Sequence, residues 1–213
     1  MGSLREVVAV SFDLFGTLVT VDMPSDPAKA VATELRNRGV SVPPDFGDAY
    51  REMHIDAPDG AEIPLPAHVA AALSSRGVDA PNNAAHRAVV AAFDPTVQRR
   101  DGALDAIEAA AELGPVGICS NCSVPELVGR TLIRAELQGQ FDAVVRSVGC
   151  GWRKPDGRIF ETLADQLDVE VESIVHVGDT PETDGGIESV GGQYVDVAET
   201  PLSVLPKQLE SST

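Results

Sequence analysis

The sequence predicts an α/β protein in which a mainly parallel five-stranded sheet carries a small all-α insertion after its first strand. Three observations lead there. Five short apolar, β-rich segments are spread through the 213 residues. Helix-period stretches separate them in the second half of the chain, and from residue 24 to about 96 the pattern is helical with no strand signal. Alternating strands and helices imply right-handed crossovers and a sheet covered on both faces.

The first strand, Val7–Phe12, is a β-branched and apolar run that ends abruptly in Asp13, followed by the Gly16-Thr17 turn. A buried parallel strand that delivers one carboxylate to its carboxyl end has this appearance, and ligands bind at that end of open α/β sheets. Four Ala-rich helical stretches follow at Asp26–Arg38, Phe46–His54, Pro66–Arg76 and Asn82–Phe93. Gly39, Pro43-Pro44, Pro58 and Gly77 separate them. The chain therefore divides into a core (1–22 and 97–213) and a helical cap (23–96). In the core, helix Gly102–Leu113 leads to strand Pro115–Cys119, and helix Val124–Leu137 to strand Phe141–Ser147. Helix Asp156–Leu167 leads to strand Ser173–Val177, and Gly192–Val197 closes the sheet. The tail after Pro201 reads as short and peripheral.

An apolar fraction of 43% is enough for a real core, with roughly 70% of the unfolded surface buried at this length. No apolar run approaches a membrane span, and the N-terminus shows no basic-then-apolar signal pattern, so the expected location is cytoplasmic. The net charge of −17 disfavours nucleic acid and anionic membrane as partners. Three lysines stand against thirteen arginines and thirty-three acids. That balance suits a high-salt, halophilic cytosol, where salt screens self-repulsion. Cys119, Cys122 and Cys150 are too few and uneven for a disulfide framework, and the Cys119-Ser120-Asn121-Cys122 spacing reads as packing rather than a redox or zinc pair.

Three later segments offer parts that complement Asp13. Ile118-Cys119-Ser120-Asn121 ends a strand in a hydroxyl and an amide, both hydrogen-bond donors toward an anionic group. Trp152-Arg153-Lys154-Pro155-Asp156 carries one of the three lysines, just before a helix start. Val175-His176-Val177-Gly178-Asp179 closes a strand on an acid, and Asp184 follows five residues later. Two carboxylates in an oxygen-rich loop suit a hard divalent cation such as Mg²⁺.

In this order the four segments resemble the haloacid dehalogenase superfamily of hydrolases, with a helical cap after the first motif. The likeness spans nearly the whole chain. It implies a Rossmann-like core with Asp13 as a nucleophile that forms a covalent aspartyl intermediate. It also implies that Ser120 and Asn121 hold the transferred group, with Thr17 supporting the same loop, and that Lys154 neutralises charge on nucleophile and substrate. Asp13, the Phe15 carbonyl, Asp179 and Asp184 would make the Mg²⁺ site.

Phe15 departs from the phosphatases of that family, which place a second Asp there to protonate the leaving alcohol. Three readings stay open. A Mg²⁺-dependent phosphatase would act on a small phosphorylated metabolite, taking its proton elsewhere, with His54 a candidate by residue type. A metal-independent 2-haloacid dehalogenase shares the D-x-aromatic-G-T-L pattern and needs no acid, but would need an arginine for the substrate carboxylate, for which Arg36, Arg38 and Arg51 are candidates. A ligand-binding protein with little turnover is the third. The Asp179–Asp184 segment favours the phosphatase, since two extra carboxylates need a balancing cation. Tyr50, Arg51, His54 and Arg36 are candidate cap contacts to substrate, and His176 reads as buried packing.

Overall fold

The computed structural model describes residues 9–210, so Val7 and Val8 of the expected first strand lie outside the described residues. The chain runs from β1 (Ala9–Phe12) through the Asp13–Leu18 turn into β2 (Val19–Val21). Four helices follow: α1 (Pro27–Asn37), α2 (Phe46–Arg51), α3 (Leu65–Ser74) and α4 (Ala84–Ala92). The chain returns through β3 (Val97–Arg99) to α5 (Ala103–Ala111) and β4 (Val116–Ser120). Next come α6 (Leu127–Arg134), β5 (Ala143–Arg146), the one-turn α7 (Ser147–Cys150) and α8 (Gly157–Leu167). β6 (Ile174–Gly178), the one-turn α9 (Pro181–Asp184), β7 (Gln193–Asp196) and α10 (Leu205–Glu210) complete the fold.

The five core strands pair in parallel in the order β5-β4-β1-β6-β7, which is the Rossmann-like arrangement the sequence predicts. β1, β4 and β6 are buried along their whole length, as continuous apolar runs require. Phe12 sits opposite both Ile118 and Val177. The residues that leave the carboxyl ends of β1, β4 and β6 therefore emerge side by side.

The sequence pattern does not predict the remaining two strands, β2 and β3. β2 pairs antiparallel with β3, Val19 against Arg99 and Val21 against Val97, so one ribbon carries the chain out to the four helices and back. The helices pack mainly on one another, α1 on α4 and α3 on α4, around Val31, Leu35, Phe46, Val69, Leu73 and Val89. Asp26 caps α1 by accepting from the Lys29 amide at 3.0 Å.

Three expectations are corrected. His54 does not end a helix: α2 stops at Arg51, and His54 lies in the loop beyond. Ser147 belongs to α7 rather than to the preceding strand. The tail after Pro201 is not peripheral, because Leu202, Leu205 and Leu209 are buried and α10 packs on α5; its last residues, 211–213, lie outside the described residues. No described helix is long and apolar enough to cross a membrane.

Candidate active site

The site forms where β1, β4 and β6 end. Asp13 leaves β1 with its amide donating to the Val177 carbonyl at 2.8 Å, which fixes the backbone of the carboxylate against the neighbouring strand. The chain then turns at Gly16, whose φ of +93° favours glycine. Any Cβ there would also collide with the Asp179 carboxylate, so the glycine lets the loop after β1 close on the loop after β6. The Arg100 guanidinium, reached from β3, donates to the Gly16 carbonyl, and the Thr17 hydroxyl, fully buried, donates to Asp179 Oδ1 at 3.2 Å.

Lys154 sits in the loop between α7 and α8 and is only 2% exposed. Its ammonium donates to Asp13 Oδ1 at 2.8 Å, to Asp184 Oδ1 at 2.5 Å and to the Cys119 carbonyl at 2.7 Å. All three donors of the ammonium are thereby used. Burial works against its charge, but the carboxylates of Asp13 and Asp184 outweigh this and hold its pKa above the ordinary lysine value. Asn121 grips the same residue from the loop after β4: its amide nitrogen donates to the Lys154 carbonyl at 2.9 Å and its Oδ1 accepts from the Lys154 amide at 2.8 Å.

Asp184, 1% exposed, stands behind Lys154. Its Oδ1 meets Lys154 and His176 Nε2, the latter at 3.3 Å, and its Oδ2 accepts from the Thr180 amide at 3.0 Å. Burial raises its pKa, but the His176 hydrogen bond and the Lys154 charge together bring it well below the usual carboxylate range. Gly178 makes the approach possible, since a Cβ there would overlap the Asp184 carboxylate. Asp13 behaves differently. Burial pushes it up, Lys154 pulls it down, and the charges of Asp184 and Asp179 add to the rise, leaving it at about 6. His176, wholly buried in β6, is pushed down to about 4, first by burial and then by Lys154, so it is neutral.

Asp13, Phe15, Asn121, Lys154, Asp179, Thr180, Thr183 and Asp184 line one cavity of about 130 Å³. The structure thus gathers the predicted core residues at one place. Ser120 ends β4 beside them, fully buried, and its hydroxyl has no partner among the described residues. The predicted cap residues are elsewhere. Arg38 pairs with Glu34 and Arg51 with Asp48, Tyr50 packs on Phe46 and His68, and Arg36 is exposed on α1. His54 Nε2 donates to the Ala49 carbonyl at 2.7 Å. None of these lines the cavity. Arg100 had no signal in sequence, because only the pairing of β2 with β3 brings it to Gly16.

The donor set fits a hard divalent cation. Asp179, exposed, and Asp13 and Asp184, both buried, line the same cavity, and against these three carboxylates stands one ammonium. No group of three or more His, Cys, Asp or Glu side chains is arranged to hold a metal by itself among the described residues. Mg²⁺ does not require one, since it is commonly bound by one or two carboxylates together with substrate phosphate and water.

A family model of haloacid dehalogenase-like hydrolases matches residues 7–190. No curated protein matches the sequence significantly. Among solved structures, a 2-haloacid dehalogenase from Pseudomonas syringae pv. Tomato DC3000 is similar with a TM-score of 0.70 and 20% identity, covering 97% of this chain and 100% of that one. A HAD phosphatase from Thermococcus onnurineus gives 0.55 and 22%, covering 89% and 86%. The putative HAD-hydrolase YfnB from Bacillus subtilis, bound to magnesium, gives 0.54 and 18%, also covering 89% and 86%. At these identities the likeness speaks for the fold, and together with the family match over residues 7–190 it has one reading: the chain belongs to the haloacid dehalogenase-like hydrolases.

Proposed function

We propose that this hydrolase is a Mg²⁺-dependent phosphatase of a small phosphorylated metabolite, working through an aspartyl-phosphate on Asp13. The carrying observation is the charge balance of the site: two carboxylates, Asp13 and Asp184, share one ammonium, and a third, Asp179, lines the same cavity. Uncompensated carboxylates at a partly buried site are costly; one divalent cation brings three carboxylates and one ammonium to neutrality, and such an ion then attracts an anionic phosphoryl group. Asp13 and Asp179, with the Phe15 carbonyl, would hold Mg²⁺. The chemistry such an ion supplies is neutralisation of the phosphoryl oxygens.

The protein's own groups do the rest. An Asp13 carboxylate oxygen attacks phosphorus, an O–P bond forms, and the alkoxide leaves with its electron pair. Lys154 keeps the attacking carboxylate oriented at 2.8 Å and offsets negative charge as it gathers on the phosphoryl group. The unpartnered Ser120 hydroxyl supplies a donor to that group. Water then cleaves the aspartyl-phosphate, returning Asp13 and releasing phosphate. Asp184 serves Lys154 in this scheme, since both its oxygens are engaged within the protein.

The test is p-nitrophenyl phosphate at high KCl, with Mg²⁺ and then with chelator. Release that depends on Mg²⁺ is expected; release indifferent to chelation contradicts the metal assignment. One observation favours a second reading. Phe15 offers no proton, and halide is a leaving group that needs none, so a 2-haloacid dehalogenase would lose nothing at this position. Chloride release from a 2-chloroacid in chelator, with no phosphatase activity, would establish that reading instead.

A pH dependence follows from Asp13. Only its ionised form attacks, and burial raises its pKa to about 6, so the ionised fraction grows as pH rises through that value. At low Mg²⁺, kcat/KM is expected to be about tenfold lower at pH 5 than on its plateau above pH 7. A plateau that extends unbroken to pH 4.5 would show that Asp13 stays ionised there.

A further inference from the structure

We propose that His176 is a positioning residue, and that with Ser11 it aims Lys154 at Asp13 by fixing Asp184. The inference rests on the reading of Asp13 and Lys154 as the reacting pair, and goes beyond it by assigning two buried polar residues that the chemistry itself does not use. Ser11 and His176 are register partners on the adjacent parallel strands β1 and β6, each fully buried. Ser11 Oγ lies 2.8 Å from His176 Nδ1, and His176 Nε2 lies 3.3 Å from Asp184 Oδ1. A carboxylate only accepts, so Nε2 carries the proton and donates to Asp184, and Nδ1 accepts from the Ser11 hydroxyl. One tautomer satisfies both contacts. Asp184 Oδ1 also receives the Lys154 ammonium at 2.5 Å, and Lys154 in turn donates to Asp13 at 2.8 Å. An unbroken hydrogen-bonded chain thus runs Ser11–His176–Asp184–Lys154–Asp13.

Two features argue that this chain is more than filled space. The surrounding face is apolar, built from Ala9, Cys119, Ile159, Phe160, Leu163 and Ile174, and the His176 ring lies edge-on to Phe160 at 5.2 Å. Apolar residues would fill those positions without the cost of burying a hydroxyl and an imidazole. The second is the state of Lys154: among the described residues Asp184 is one of two carboxylates touching its ammonium, so the orientation of Asp184 helps set where the ammonium points. Asp184 hangs from the one-turn helix α9. His176 holds it from the rigid centre of the sheet.

The experiment uses the full chain and two readouts. The first is kcat and KM for p-nitrophenyl phosphate per folded molecule. Loss of aim at the nucleophile is worth up to about 100-fold. His176→Leu is therefore expected to lower kcat about 10- to 100-fold with KM nearly unchanged, and His176→Gln, which keeps a donor toward Asp184, to recover most of it. The second readout is the side-chain amine resonance of Lys154 in ¹⁵N-lysine-labelled protein, where only three lysines contribute. It is expected to shift or broaden in His176→Leu and to stay near its native position in His176→Gln. Ser11→Ala, which leaves ring and volume in place, gives a smaller change in the same direction and serves if His176→Leu fails to fold. A merely structural His176 would lower the melting temperature yet leave the Lys154 resonance and kcat per folded molecule unchanged, and that result overturns the proposal. If the wild-type protein hydrolyses no phosphate ester, the phosphatase reading fails on its own, and the Lys154 resonance still decides for or against His176.

Discussion

Asp13→Asn is expected to abolish turnover, by on the order of 10⁴–10⁶-fold, while the protein keeps its fold. An amide oxygen is a poor nucleophile, so no covalent intermediate forms, yet it still accepts the Lys154 hydrogen bond now made to Asp13 Oδ1. The backbone anchor, the Asp13 amide on the Val177 carbonyl, involves no side-chain atom and survives. Burial alone pushes Asp13 toward its neutral form, so a neutral side chain of the same shape relieves a desolvation cost. The melting temperature should therefore be equal or higher. The measurement is single-turnover hydrolysis with the wild type as reference, together with thermal unfolding of both proteins. Appreciable turnover by Asp13→Asn would exclude covalent catalysis at this residue under either leaving-group chemistry.

That variant can be chosen from the sequence because the strand that carries Asp13 is legible there. β1, β4 and β6 are buried on both faces, so each reads as a mainly apolar run leading into the polar residue it delivers. Local pattern marks Asp13, Ser120 and Asp179 as candidates, and the family resemblance of the four segments together is what implies their roles. Lys154 stood out by rarity, in a chain that otherwise prefers arginine. What stayed hidden is what depends on partners far apart in the chain. β2 and β3 are three residues each, and Val19 meets Arg99 only across the whole four-helix segment; neither strand is long enough to show a period. Asn121 shows the limit for side chains. Its amide at a strand end reads as a donor for the transferred group, but in the fold both ends of the amide bind the Lys154 backbone. His176 is the converse. A titratable residue inside an apolar strand reads as packing, and only the register that sets it beside Ser11 exposes a hydrogen-bonded path to Asp13. In the cap, residue type alone marks an arginine or histidine as a candidate, and the contacts those side chains make are not legible in the sequence. Arg38, Arg51 and His54 are instead satisfied within their own helical segments.

Phe15→Asp is the substitution expected to raise activity, by on the order of 10²–10⁴-fold for alkyl phosphates. Phe15 lines the same cavity as Asp13, Asp179 and Lys154, two residues beyond Asp13, so on the proposed mechanism a carboxyl there is placed to serve the leaving group. An alkoxide leaving group is a strong base and gains most from a proton delivered as it departs; p-nitrophenolate gains little. The ratio of kcat/KM for an alkyl phosphate to that for p-nitrophenyl phosphate should therefore rise in the variant, and this ratio cancels differences in folded fraction or Mg²⁺ occupancy. Phe15 also packs partly against the core, and losing that contact costs about 1–2 kcal/mol, visible as a lower melting temperature. A rise in the ratio despite that loss would mean the site is a phosphatase held back by one missing acid. An unchanged ratio would mean that the cavity is shaped for a leaving group that departs without a proton, and would shift the assignment to the dehalogenase chemistry for which Phe15 is the natural residue.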